Sequence, residues 1–87
     1  MRGKYEPLEL HLRATPSKVR EVTLSFSEVE RILGAPLPAS ALSHRQWWEN
    51  QRDSKTRPQA QAWLAAGFVV DTVSQGRPNG SVRFKRQ

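Results

Sequence analysis

The chain has 87 residues, no cysteine and a formal charge of +6. A domain this short buries a smaller share of its surface than a larger one, so its core must be built from large side chains, and three Trp, three Phe and one Tyr supply them. The lack of cysteine excludes a disulfide framework, a thiol nucleophile and thiolate-bound zinc, and agrees with a reducing compartment.

No apolar run approaches the roughly 20 residues that cross a bilayer. Met1 to Arg13 has neither a signal-peptide core nor a small-residue cleavage pattern, so the expectation is a cytoplasmic protein with no membrane partner. The charge is unevenly placed. Residues 1–43 carry six Lys/Arg against five Asp/Glu, whereas residues 44–87 carry eight against three. A second half at +5 favours a polyanionic partner, nucleic acid or an acidic protein surface.

Residues 1–87 read as a single α+β domain whose first four residues are expected to be disordered. Tyr5-Glu6-Pro7-Leu8 predicts a helix entry, since Pro is tolerated in a first turn and Glu complements the positive end of the helix dipole. Tyr5, Leu8 and Leu12 then share a face. A strand with Leu8, Leu10 and Leu12 at period two competes, and the acidic start and lack of β-branched residues favour the helix. Ala14 to Lys18 is a turn. Val19 to Phe26 alternates Val22, Leu24 and Phe26 inward with Thr23 and Ser25 outward, as a half-buried strand does.

Ser27 and Glu30 have capping-box spacing, which predicts a helix starting there, with Val29, Ile32 and Leu33 as its buried stripe and Gly34 at its end. Ala35-Pro36-Leu37-Pro38 is a rigid connector, and Pro38 opens a short helical turn over Ala39 to Ser43. His44 to Asn50 reads equally as a continuing helix or as a strand. Gln51 to Arg57 is a polar loop. Thr56 and Gln59 repeat the capping spacing, with Pro58 in the first turn. Ala60, Trp63, Leu64 and Gly67 then fall at i, i+3, i+4 and i+7, predicting a helix from Pro58 to Ala66 closed by Gly67. Phe68 to Val73 and Ser81 to Arg86 flank Gly76-Arg77-Pro78-Asn79-Gly80 as a C-terminal hairpin.

This order, three helices packed on a short antiparallel sheet with a C-terminal hairpin, is winged-helix-like and suggests a nucleic-acid-binding module, double-stranded DNA first. Arg45, Arg52, Lys55 and Arg57 flank the tryptophans, and Arg77, Arg83, Lys85 and Arg86 mark the hairpin; these suit phosphate contact. Gln46, Asn50 and Gln59 are candidate polar contacts, although exposed amides are common on any surface. Trp47 and Trp48 are adjacent and cannot both enter one core, so one is expected inside; the other is a candidate stacking platform, a role for which Trp48 is singled out. RNA or single-stranded nucleic acid is a further possible partner. The alternative class is a protein-interaction module, a regulator or inhibitor, that docks an acidic partner through its basic face and exposed tryptophan.

An enzyme is not expected. His11 and His44 are the only histidines, there is no Gly-rich phosphate loop or nucleophile elbow, and Glu49, Asp53 and Asp71 match no metal-ligand spacing, so neither cofactor nor metal is anticipated.

The runs TLSFSEVERILGAPLP, HRQWWEN and QAQAWLAAGF resemble a family of small bacterial domains of unknown function that share the order KYEPL, VTLSF, ILG-x-PLP, SA, HR-x-WW-x-N, QA-x-AWL-x-AG. The resemblance spans most of the chain and implies no activity or ligand. Gln51-Arg52-Asp53 departs from a family loop that is commonly more acidic and histidine-containing.

Overall fold

The computed structural model describes residues 3–50, 58–75 and 80–87. The first helix, α1, spans Glu6–Arg13, with Pro7 and two acidic residues in its first turn and a Glu9–Arg13 ion pair at 2.8 Å one turn apart. Leu8 and Leu12 are buried while Leu10 is 52% exposed. That pattern has the helical period and excludes the strand alternative, in which all three would share a face.

Strand β1 (Glu21–Ser25) runs directly into α2 (Phe26–Leu33). The helix starts earlier than expected, because the capping box is Ser25 with Glu28 rather than Ser27 with Glu30. Both pairs have the Ser-x-x-Glu spacing. The earlier start puts Phe26 and Val29 on the buried face, while the Phe26 N–H donates to Gly80 O at 2.9 Å and carries the sheet ladder into the helix. Glu30, released from capping, accepts the Leu37 N–H at 2.8 Å and ties down the proline connector. Gly34, at φ 73°, ends α2 in the left-handed region that a side chain would strain.

Helix α3 (Ala39–Ser43) follows Pro38, and an extended His44 separates it from a 3-10 turn over Arg45–Trp48. This turn is neither the continuing helix nor the strand considered for His44 to Asn50. Helix α4 (Pro58–Ala65) and Gly67 at φ 87° lead into β2 (Phe68–Ser74), which pairs with β3 (Ser81–Arg86). The described residues therefore form a small α+β domain of four α-helices and a three-stranded antiparallel sheet in the order β1-β3-β2. Of the expected hairpin turn, residues 76–79 lie outside the described residues, as do Met1 and Arg2 of the expected disordered start and the whole polar loop, residues 51–57.

The core is an aromatic column. Phe26 stacks on Trp48 at 5.4 Å between ring centroids, Trp48 on Trp63 at 5.8 Å, and Trp63 meets Phe84 at 5.6 Å, joining α2, the 3-10 turn, α4 and β3. Each ring buries on the order of 150–250 Å², so at about 25 cal/mol per Å² each contributes about 4–6 kcal/mol of hydrophobic burial. Both buried indoles are satisfied: Trp48 Nε1 donates to Ala41 O and Trp63 Nε1 to Asn50 Oδ1, each at 2.9 Å.

Candidate nucleic-acid interface

The 3-10 turn lies along the edge of β2 and leaves a groove of about 260 Å³, lined by Arg45, Gln46, Trp48, Glu49, Asn50, Val70, Asp71 and Val73. Four of the residues singled out in the sequence meet here, and their roles diverge. Arg45 and Gln46 are exposed. Trp48 is 2% exposed and locked in the aromatic column, so it is not the tryptophan available for stacking. The partly exposed member is Trp47, held edge-on to Tyr5 at 5.9 Å.

Asn50 is spent on the fold. Its Oδ1 accepts both the Trp63 indole N–H and the Val70 N–H at 2.8 Å, and its Nδ2 donates to Val70 O at 3.1 Å. One side-chain amide thus imitates a neighbouring strand at the outer edge of β2. Both lone pairs of its oxygen are taken and one N–H is left, so it cannot make the paired donor–acceptor contact that reads an adenine. Gln59 is 4% exposed and donates to Trp47 O at 2.8 Å, a burial that its own polarity does not foretell. Arg52, Lys55, Arg57 and Arg77 lie outside the described residues.

The hairpin cations divide in the same way. Arg86, which alternation places inward, sends Nε to Val19 O at 3.0 Å and Nη2 to Thr15 O and Pro16 O at 3.3 and 3.0 Å, over the face of Phe68. Its guanidinium staples the α1–β1 turn to the end of the sheet and is not presented to a phosphate. Arg83 and Lys85 stand on the outer face of the sheet. Arg83 pairs with Asp71 at 2.7 Å, whereas Lys85 is exposed.

Sequence reasoning missed Asp71 as the partner of Arg83. The strand register slips between Val70 and Thr72, leaving Asp71 as a bulge; Thr72 then faces Arg83 and Val73 faces Val82. Val73 packs against the core as a result. An acidic residue in the middle of an apolar strand was the available signal. Among the described residues, no three His, Asp or Glu side chains are grouped to hold a metal ion, and no helix is long and apolar enough to cross a membrane.

A family model described as a domain of unknown function (DUF7662) matches residues 5–87. The chain belongs to that family. No curated protein and no solved structure matches it. For this DUF7662 member the tryptophan pair and Asn50 have an evident physical role: Trp48 and Asn50 build the core and close the edge of β2.

Proposed function

We propose that this domain binds nucleic acid, double-stranded DNA first, by contacting phosphates rather than by reading bases. What supports the reading is that Arg45, Gln46 and Lys85 remain exposed after the other described candidates are accounted for, in the half of the chain that carries a net charge of +5. Arg52, Lys55, Arg57 and Arg77 supply half of the eight Lys/Arg behind that charge. The fold reading that goes with it is winged-helix-like, suggested by the element order and by a sheet in which β1 pairs with the second strand of the hairpin.

The helix before the hairpin, α4, has the sequence PQAQAWLA, carries no charge and buries Gln59, Ala60, Ala62 and Trp63. It is poorly suited to major-groove recognition. Contact would therefore run through the 3-10 turn and the hairpin, with affinity set by salt and little preference for sequence. Fluorescence anisotropy of labelled duplex and matched single strand, titrated across salt concentrations, tests this. Tighter duplex binding is expected, and the R45A/K85A pair should lower the slope of log K against log salt by about 2, near 0.9 per phosphate contact. Failure to bind either strand form at low salt would remove the proposal.

The alternative is a protein-interaction module, a regulator or inhibitor docking an acidic partner. It draws on Trp47, partly exposed beside Tyr5, since tryptophan is a frequent interface anchor. A Trp47→Ala change that abolishes capture of one defined acidic protein, insensitive to nuclease, would favour it.

A further inference from the structure

The two outer edges of the sheet are treated differently. At the β2 edge the Asn50 amide occupies both backbone groups of Val70, and a bulge at Asp71 breaks the regular strand. These are devices that stop another strand from adding. The β1 edge has neither.

Backbone parity shows which groups are open. Arg86 N–H donates to Arg20 O at 2.8 Å and Phe26 N–H to Gly80 O at 2.9 Å, so Arg20, Val22, Leu24 and Phe26 turn their backbone groups toward β3. Glu21 and Thr23 turn theirs outward. Ser25, next in that series, already gives its N–H to Glu28 Oε1 at 2.8 Å. Among the described residues, the Glu21 and Thr23 amides and carbonyls have no hydrogen-bond partner, and both residues are exposed. The segment EVTLS contains no proline, glycine or lysine to discourage pairing.

We propose that β1 is a self-association edge, where a second copy of this chain adds antiparallel about a two-fold axis through Val22. A second copy is the favoured occupant because the strand is complementary to itself in that register. Glu21 faces the partner's Thr23, and the two residues exchange both N–H···O bonds. Symmetry repeats the exchange, so every open backbone group of Glu21 and Thr23 is satisfied. Val22, only partly buried in one chain, meets the partner's Val22. No like charges are opposed, since Glu21 lies across from a threonine. A register centred on Thr23 would instead place Glu21 opposite the partner's Ser25, whose N–H is already engaged. The sheet becomes a continuous six-stranded one, with the two Asn50-closed β2 edges outermost.

The inference is independent of nucleic-acid binding, and its test contains no nucleic acid. Sedimentation velocity from micromolar to millimolar protein is expected to show a reversible monomer–dimer equilibrium. Thr23→Pro deletes an outward N–H and no bond within the chain, so it should raise the dimer dissociation constant at least tenfold while leaving the circular dichroism spectrum intact. Should that variant fold poorly, hydrogen exchange on the unmodified chain decides: the Glu21 and Thr23 amides are expected to slow as concentration rises, while the Val69 amide on the far strand does not. A monomer at millimolar concentration, a dimer unaffected in a folded Thr23→Pro variant, or concentration-independent exchange at both amides would overturn the proposal.

Discussion

Replacing Asn50 with alanine is the most informative perturbation of the fold. The change removes two acceptor contacts and one donor contact made by a single amide. Trp63 is 0% exposed, so its indole N–H would be stranded without water, at a cost of roughly 1–3 kcal/mol. The Val70 groups lie at a more accessible edge, and exchanging their bonds for water costs about 1 kcal/mol in total. The expected loss is therefore roughly 2–4 kcal/mol out of a stability on the order of 5–10 kcal/mol. Equilibrium urea unfolding measures it, and a double-mutant cycle isolates the indole contribution. In a Trp63→Phe background no indole N–H remains to be stranded, so Asn50→Ala should cost about 1–3 kcal/mol less than in the parent. An Asn50→Ala penalty below about 0.5 kcal/mol, or the same penalty in both backgrounds, would refute the account of Asn50 as the indole's partner.

Arg86→Lys should destabilise by about 2 kcal/mol in urea unfolding, because an ammonium cannot span the carbonyls of Val19, Thr15 and Pro16 as the planar guanidinium does. With charge retained, affinity of the folded variant for DNA should stay at the parent value; a selective loss of binding would return Arg86 to the interface. Gly80→Ala should cost about 1–3 kcal/mol, since a Cβ there overlaps the buried Phe26 ring, and an unchanged thermal midpoint would contradict that packing. Ser25→Ala removes the helix cap and should cost about 1 kcal/mol at neutral pH. The Ser25 backbone N–H, then its hydroxyl, and to a smaller degree Arg31 and His11 hold the Glu28 carboxyl below its ordinary value of 4.5. A lowered carboxyl pKa stabilises fully above the ordinary value and is lost as pH falls through the folded value. Alanine keeps the backbone N–H, so Glu28→Gln tests the pH dependence: its penalty should shrink as pH falls below about 4.5, and a pH-independent penalty from 7 to 3 would count against the reciprocal cap.

Short-range rules brought out much of the architecture. Pro7 with Glu6 and Glu9 predicts α1, Gly34 and Gly67 sit where a left-handed residue must end a helix, Pro38 opens α3, and the β-rich runs on either side of Asn79-Gly80 pair as expected. These signals act within about one helical turn or across one hairpin, so they are complete in the local chain. Other questions depended on partners far away in sequence. Two overlapping Ser-x-x-Glu boxes were equivalent until Phe26 met Gly80 O and the aromatic column. Trp48 rather than Trp47 went inside because Ala41 O was there to take its indole N–H.

The candidate interface changed for the same reason. Asn50, Gln59 and Arg86 have side chains that suit a nucleic acid as well as they suit a protein interior, and composition cannot tell the two uses apart. Val70 lies 20 positions from Asn50, Trp47 12 from Gln59, and Thr15 71 from Arg86. A polar side chain becomes structural only when folding brings an unpaired backbone group within about 3 Å of it. By itself, then, the sequence determined where α2 and α4 stop, the strand pair and the sign of the charge. Which polar groups remained free to act was decided only in the tertiary structure, where each donor and acceptor finds its partner.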